Sequence, residues 1–162
     1  MRKVARSGLD SLTTEERTHV AQEINLNNEA HRKYLTEVFK DHPHTQIKNF
    51  DYFYQAQCVW EDTMAENITR RLNDNPGRMV VFTGNGHIIN RFGIPDRVKG
   101  QIPVNIATIM LYPLTDRSII NKNMADYVWL TSGCSSRGHG YRNTRFHRLG
   151  EMHKNENNTG KD

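Results

Sequence analysis

The chain is poor in cysteine and in long apolar runs. Its two cysteines, Cys58 and Cys134, give neither a disulfide framework nor the paired spacing of a thiolate metal site. The longest apolar stretch, residues 106–112, has the length of a strand and falls far short of the ~20 apolar residues that a membrane-spanning helix needs. The basic residues 1–6 are not followed by an apolar segment, so we expect no signal peptide there.

Apolar residues are scarce overall and unevenly placed. They make up 36% of the chain, against roughly 45–50% in a typical globular domain. Most lie between Phe50 and Leu130, and the last thirty residues hold almost none. We therefore expect a small core within residues 1–132, with apolar surface that another element or partner has to cover. The Gly-, Ser-, Arg- and Asn-rich residues 133–162 are interpreted as a basic, disordered tail.

The net charge of +4 belongs mainly to the C-terminal tail. Six of the 22 Lys and Arg residues and three of the 18 Asp and Glu residues lie from Arg137 onward, which leaves 16 basic and 15 acidic side chains before it. This near-neutral balance argues against nucleic acid as the partner of the whole protein. Four arginines from Arg137 to Arg148, interleaved with Tyr141 and Phe146, leave single-stranded nucleic acid as an alternative for the tail alone.

Two helices are predicted in the first 45 residues. Thr13 and Glu16 have the spacing of a capping box, so a helix is expected from Thr13 toward Ile24. Asn28 is a candidate N-cap for a second helix with an apolar stripe. That stripe contains Tyr34, Leu35, Val38 and Phe39. The second helix should end at His42-Pro43, because proline disfavours helix at the preceding residue.

A third helix is predicted from about Phe50 to Asn73. Apolar residues recur there at spacings of three and four, which predicts one buried face: Phe53, Ala56, Trp60, Met64 and Ile68. The opposite face is expected to be solvated: Gln55, Asp62, Glu66, Thr69 and Asn73. Asn75-Pro76-Gly77 should stop the helix.

Three strands are predicted after the third helix, at Met79–Thr83, Val104–Tyr112 and Asp126–Leu130. The first has β-forming residues without alternation, which is typical of a strand covered on both faces in a parallel sheet. The order of elements predicts an α/β fold with a mostly parallel sheet flanked by helices. Because three strands and the N-terminal helices cannot cover such a sheet, we expect a partial domain whose other strands lie upstream.

Gly84-Asn85-Gly86-His87 follows the first predicted strand, where ligands bind in open α/β sheets. Gly84 and Gly86 would allow a sharp turn and a close approach to a ligand. His87 would then point into the crevice as a donor, a base or a metal ligand. The alternative is a plain glycine turn with an exposed histidine.

Two further residues are candidates for a ligand site. Tyr54, Gln57, Glu61 and Ala65 share one line on the third helix, beside its apolar face, where a cleft could form. Tyr54 could ligate ferric haem iron, or could be an amphipathic tyrosine at the core margin. Arg97 could hold a carboxylate such as a haem propionate, or could pair with a nearby acid. Five histidines have no metal-site spacing and are expected to be solvated: His42, His44, His139, His147 and His153.

Three segments together resemble the ChaN-like haem-binding proteins of the Tiki and erythromycin-esterase-like group: Phe53–Ala65, Val80–His87 and Gly93–Arg97. Val4–Leu9 and Ala125–Trp129 fit the same pattern. The resemblance covers about residues 1–131, and the order and spacing of the segments make it specific. It corresponds to the C-terminal half of the family's domain.

The resemblance implies haem binding for bacterial haem and iron uptake, in a pocket shared between two subunits of a dimer. A tyrosine would ligate the iron, for which Tyr54 is nominated and Tyr52 and Tyr127 are rivals. His87 would hold a propionate, with Arg97 as a further candidate. The family is periplasmic or anchored to the membrane as a lipoprotein. The compartment of this chain is left open, because no lipoprotein signal is expected in it.

The family's first half, with its acid-and-histidine motif, has no counterpart here. We therefore expect a truncated or split protein that works as a homodimer or with a partner supplying that half. The alternative function is that of a metal-dependent hydrolase fragment, in which His87 would act with a Glu/His pair from the first half. Because that pair is not expected in this chain, the sequence argues against enzymatic activity by the chain alone.

Overall fold

A computed structural model describes residues 2–41, 47–114 and 120–132. It contains five α-helices: α1 (Arg2–Ser7), α2 (Thr14–Arg17), α3 (Glu29–Asp41), α4 (Phe50–Asp74) and α5 (Ile94–Gln101). Two strands, β1 (Ile109–Leu114) and β2 (Tyr127–Ser132), form a parallel pair in which Ile109 lies opposite Tyr127 and Leu114 opposite Ser132. The predicted α/β class with parallel strands is confirmed. The tail 133–162 lies outside the described residues, as do the histidines nominated within it and at 42 and 44.

Helix α4 is the central element of the fold. Its N-cap, Asn49, accepts hydrogen bonds from the amides of Asp51 (2.8 Å) and Tyr52 (3.3 Å), and the helix ends just before Asn75-Pro76-Gly77. Each of three apolar clusters includes residues of this helix. They join it to α3 and β1, to α1, and to α5, through Tyr54 and Cys58, Ala56 and Val59, and Ala65 respectively. The predicted extent of this helix is confirmed.

The buried face of α4 differs from the prediction. Trp60, placed on the buried face, is 51% exposed, whereas Asp62 and Thr69, placed on the solvated face, are buried. Their polar groups have partners inside the protein: Arg97 for Asp62 at 2.9 Å, and Gln101 for Thr69 at 2.7 Å. Because α5 brings these partners, the prediction failed for Asp62 and Thr69. Ala56 is buried as predicted, and Phe53, Met64 and Ile68 are partly buried against the core.

The two N-terminal helix predictions are partly confirmed. The capping box of Thr13 and Glu16 is present, but α2 is only one turn long and does not reach Ile24. The side chain of Asn28 accepts from the amide of His31 (2.9 Å) at the start of α3, as expected of a cap. Helix α3 ends at Asp41, directly before His42-Pro43.

The strand predictions are confirmed in part. The second strand begins and ends later than predicted, at Ile109–Leu114, and the third is Tyr127–Ser132. Residues 79–83 form no strand, and the expectation that this run is covered on both faces is wrong. Val80 is 79% and Phe82 is 94% exposed. A strand exists only when a neighbour accepts its hydrogen bonds, and the described residues offer this run no such neighbour.

The loop between residues 84 and 93 is fixed to the sheet by three polar contacts. Asn85 donates from Nδ2 to the carbonyl of Leu111 (2.8 Å), and the amide of Asn90 donates to the carbonyl of Met124 (2.9 Å). Arg91 donates from Nη1 to both carboxylate oxygens of Asp126, at 2.9 and 2.7 Å. These contacts hold the segment that carries His87 against β1 and the residues before β2.

One face of the sheet is covered and the other is open. Met110 and Tyr112 point into the core, whereas Ile109 and Leu111 on β1 and the opposing Tyr127 and Trp129 on β2 are exposed. None of the helices within the described ranges has the length and apolarity needed to cross a membrane.

Candidate functional site

A group of polar side chains is enclosed between α3, α4, α5 and the 84–93 loop. We call this group the polar cluster. Its members are His31, Gln57, Glu61, Asp62, His87 and Arg97. Glu61 is fully buried at its centre, and His31, Asp62 and Arg97 are also buried. Buried ionisable groups in such number need mutual pairing to be tolerated.

Arg97 compensates the two carboxylates of the polar cluster. Its Nη1 donates to Asp62 Oδ1 (2.9 Å), and its Nε donates to Glu61 Oε2 (3.3 Å). Asp62 Oδ2 also accepts from the amide of Asn25 (2.9 Å). Burial raises the pKa of Asp62, while the nearby guanidinium acts in the opposite direction. The guanidinium therefore faces inward, and in this conformation it is committed to the two acids.

Glu61, His87 and Gln57 form a close triangle. His87 Nδ1 lies 3.2 Å from Glu61 Oε1, and Gln57 Nε2 lies 2.9 Å from the same oxygen and 3.0 Å from His87 Nδ1. The side chain of His87 is 18% exposed, so its ring joins the buried carboxylate to the surface. The exposed ring of Trp60 meets the imidazole edge to face, with 5.8 Å between the ring centroids.

His31 lies on the other side of Glu61 and was not nominated from the sequence. Its Nε2 is 3.6 Å from Glu61 Oε2, and neither ring nitrogen has a hydrogen-bond partner among the described residues. The rings of Tyr54 and Phe92 pack against it. Burial lowers the pKa of His31, and the Glu61 carboxylate opposes this shift. A neutral imidazole beside a buried carboxylate can exchange a proton with its surroundings as the pH falls.

A sequence signal for His31 does exist. It precedes Tyr34, Leu35 and Val38 at helical spacing, so it belongs to the apolar stripe that α3 turns toward the core. A histidine on such a stripe is more often a packed core residue than a site residue. Only the folded structure shows that Glu61 of α4 lies beside it.

Tyr54 does not border a cleft, and that expectation is wrong. The ring is buried among the aromatic side chains of α3 and α4, and its single O–H lies within hydrogen-bond distance of two backbone carbonyls, those of Leu26 (3.2 Å) and Asn28 (3.3 Å). Burial raises the pKa of this phenol. Of the two rivals, Tyr52 is half-buried and Tyr127 is exposed on the open sheet face.

The nominated glycines have no conformational need for glycine. Gly84 has a φ of −69°, and a β-carbon built on Gly86 would meet nothing within 4 Å. Open space therefore lies in front of this part of the loop. Gly93 is the glycine that the site requires, because a β-carbon there would lie 2.4 Å from the carbonyl oxygen of His87.

The arrangement has the chemistry of a positioned histidine rather than of a protein-held metal centre. Within residues 2–41, 47–114 and 120–132, no three His, Cys, Asp or Glu side chains have the geometry to hold a metal ion. A carboxylate that engages one nitrogen of an imidazole leaves the other for a ligand. The structure thus brings His87 together with Arg97 through Glu61, and it places Tyr54 in the core behind them.

Comparison with known proteins finds a family match over the part of the chain that contains this site. The family model for haem-binding uptake proteins of the Tiki superfamily, ChaN, matches residues 1–98. That range contains Tyr54 and every member of the polar cluster. No curated protein and no solved structure matches the chain. Since the match covers more than half of the 162 residues, the chain belongs to the ChaN family of haem-binding uptake proteins.

Proposed function

We propose that this chain binds haem, as part of haem and iron uptake, at the surface where His87 emerges beside Trp60. The observation that carries the proposal is the contact between His87 and Glu61 inside the family-matched region. It gives the chain an oriented imidazole that reaches the surface. Family membership supports haem binding by the chain, and the local geometry supports His87 as the place where it occurs.

The residues at this surface fit the chemistry of haem. A ferric porphyrin takes a histidine, thiolate, methionine or phenolate as its axial ligand, and His87 is the accessible group of that kind in the polar cluster. The porphyrin ring needs apolar contacts, which the exposed ring of Trp60 beside His87 can supply. Open space in front of Gly86 leaves the loop approachable from outside.

Two nominated residues fit haem poorly in this conformation. Iron ligation by Tyr54 would require the phenol to leave two backbone carbonyls and the core. Propionate binding by Arg97 would require access to a buried guanidinium whose Nε and Nη1 hold Glu61 and Asp62, and whose Nη2 is buried without a partner among the described residues. If a tyrosine ligates the iron, the exposed Tyr127 and the half-buried Tyr52 are the better placed candidates.

The proposed working form includes a partner that supplies further strands. Because the carbonyl of Thr108 accepts from the amide of Tyr127 (2.9 Å), alternation directs the carbonyls of Ile109 and Leu111 away from β2. At that edge of β1, Leu111 is met by the Asn85 side chain, and no other strand among the described residues pairs with it. The uncovered run 79–83 precedes Asn85 and consists of good β-formers. Additional strands would cover these apolar surfaces.

Hemin titration of the purified chain tests the proposal. We expect a saturable change in the Soret absorbance at one haem per chain. His87→Ala should weaken binding by about tenfold or more, equivalent to about 1.4 kcal/mol. Tyr54→Phe should retain the spectrum. His19→Ala, in an exposed position outside the polar cluster, is the matched control and should bind like the unchanged chain. A chain that shows no saturable Soret change does not bind haem.

Hydrolysis is a second candidate, and one observation favours it. Glu61 contacts His31 on one side and His87 on the other, a Glu/His arrangement that differs from the pair expected in the family's first half. A carboxylate-oriented imidazole can act as a general base toward water. Turnover of activated esters that is lost in His87→Ala would support this function. Equal rates for the chain and His87→Ala would remove it.

A further inference from the structure

Glu61, Gln57 and His87 make three polar contacts with one another, but not all three can be well-aligned hydrogen bonds at the same time. Its three sides measure 2.9, 3.0 and 3.2 Å. The two hydrogens of the Gln57 amide diverge from one nitrogen, so they cannot both be directed well at two atoms on the same side. Gln57 therefore donates well either to Glu61 or to His87, and the choice decides where the imidazole proton resides.

The carboxylate is the stronger acceptor of the two. Hydrogen bonds to a carboxylate are roughly twice as strong as those between neutral groups. Glu61 Oε2 is engaged by Arg97, whereas Oε1 faces both Gln57 and His87. The favoured arrangement directs Gln57 and His87 Nδ1 at Oε1 as donors. His87 then carries its proton on Nδ1, which is the minor tautomer of a free neutral histidine in water.

The second nitrogen of His87 is accessible. Nε2 has no hydrogen-bond partner among the described residues, and it is not a buried atom. It therefore reaches solvent. With the proton on Nδ1, this nitrogen carries a lone pair and cannot donate to an anion such as a propionate.

We propose that Glu61 is the positioning residue of His87, fixing its proton on Nδ1 and presenting Nε2 as a ligand for ferric haem iron. The claim that Nε2 binds haem iron rests on the proposed function, whereas the position of the proton on Nδ1 rests on the geometry alone. The role differs from that expected from the sequence, in which His87 holds a propionate. Glu61 acts through His87 and does not itself reach the surface.

The tautomer can be read without haem. Long-range ¹H–¹⁵N correlation spectra of the whole apo chain, recorded at about pH 8, above the ordinary histidine pKa of about 6.5, report which ring nitrogen is protonated. We expect His87 to show protonated Nδ1 and unprotonated Nε2, while the exposed His19 shows the opposite pattern. A protonated Nε2 in His87 would overturn the proposal, whether or not the chain binds hemin.

Two variants separate Glu61 from Gln57. Glu61→Gln should move the His87 proton toward Nε2 and weaken hemin binding by about 10–100-fold, as loss of a residue that orients a metal ligand does. Gln57→Leu should leave the proton on Nδ1. If Glu61→Gln does not fold, Gln57→Leu still decides, because a proton that moves in this variant would assign the positioning role to Gln57 and contradict the proposal.

Discussion

Gly93 lies against the carboxylate of Glu61 with no room for a side chain between them. A β-carbon built on Gly93 would stand 2.8 Å from Glu61 Oε1 and 2.4 Å from the carbonyl oxygen of His87. Helix α5 begins at the next residue, Ile94, and carries Arg97 one turn later. The close approach at Gly93 is therefore what brings the guanidinium to the buried acids of α4.

Gly93→Ala should destabilise the chain, because neither the backbone carbonyl nor the enclosed carboxylate can move away from a methyl group. Overpacking of this kind costs about 1–3 kcal/mol. The measurement is the free energy of unfolding in urea. Gly86→Ala is the control, since a β-carbon there meets nothing within 4 Å. Equal losses for the two variants would mean that the contact at Gly93 is looser than described.

Arg97→Met should be the most damaging charge substitution in the described residues. It would leave Glu61 and Asp62 buried without their shared cation, which costs about 3–5 kcal/mol. Denaturant unfolding measures this loss. The control is Arg70→Met, which breaks a surface ion pair with Glu66 and should cost no more than about 1 kcal/mol. Similar effects of both substitutions would contradict the assignment of Arg97 to the buried acids.

His31 should make the chain sensitive to mild acid. Burial lowers the pKa of this imidazole, so the folded protein binds the proton less tightly than the unfolded chain does. The stability due to neutral His31 is fully present above the ordinary pKa of about 6.5 and decreases as the pH falls below it. His31→Leu should flatten the dependence of unfolding free energy on pH in this window.

Asp62 contributes a slope of the opposite sign, because burial raises its pKa. The folded protein binds the Asp62 proton more tightly than the unfolded chain does. The resulting stability is present at low pH and decreases as the pH rises through the pKa of Asp62 in the folded protein. This contribution is common to the chain and to His31→Leu, so the difference between them isolates His31. His19→Gln serves as the exposed control. An unchanged pH profile in His31→Leu would exclude His31 as the sensor.

The sequence predicts those parts of this fold that depend on local signals. Asn28 caps its helix as expected, and the extent of α4 is confirmed, because capping and periodicity are properties of a few neighbouring residues. Which polar side chains of α4 face the core could not be predicted from local signals. Asp62 is buried because Arg97, thirty-five residues away, reaches it, and local polarity indicated the reverse.

The candidate site follows the same division. His87 was found from its place after a run of β-formers, and it does lie at the surface with an acidic partner. The sequence places Glu61 on the cleft side of α4 but gives it no partner and does not indicate His31, because the relation of the two residues depends on how α3 packs on α4. Residues 79–83 show the opposite error, since a strong local preference for strand produced none where no neighbouring strand is described.

Phe82→Lys should reduce self-association of the isolated chain. Phe82 is 94% exposed within an apolar run that also contains Val80 and Val81, and exposed apolar runs without a paired neighbour favour association. Sedimentation velocity over a range of concentrations measures the effect. We expect the unchanged chain to associate and the variant to do so less, with equal unfolding free energies. A chain that is monomeric at all concentrations would contradict self-association through this run.

Paramagnetic mapping of hemin on the ¹⁵N-labelled chain tests the haem site most directly. Ferric haem broadens the signals of nearby nuclei, so the pattern of loss locates it. Binding beside His87 predicts that the signals of residues 84–88 and of the Trp60 indole disappear first, while those of Val4 and Ala5 in α1 persist. Loss centred on Tyr127 and Trp129 of the open sheet face, or uniform loss throughout the chain, would contradict a haem site at His87.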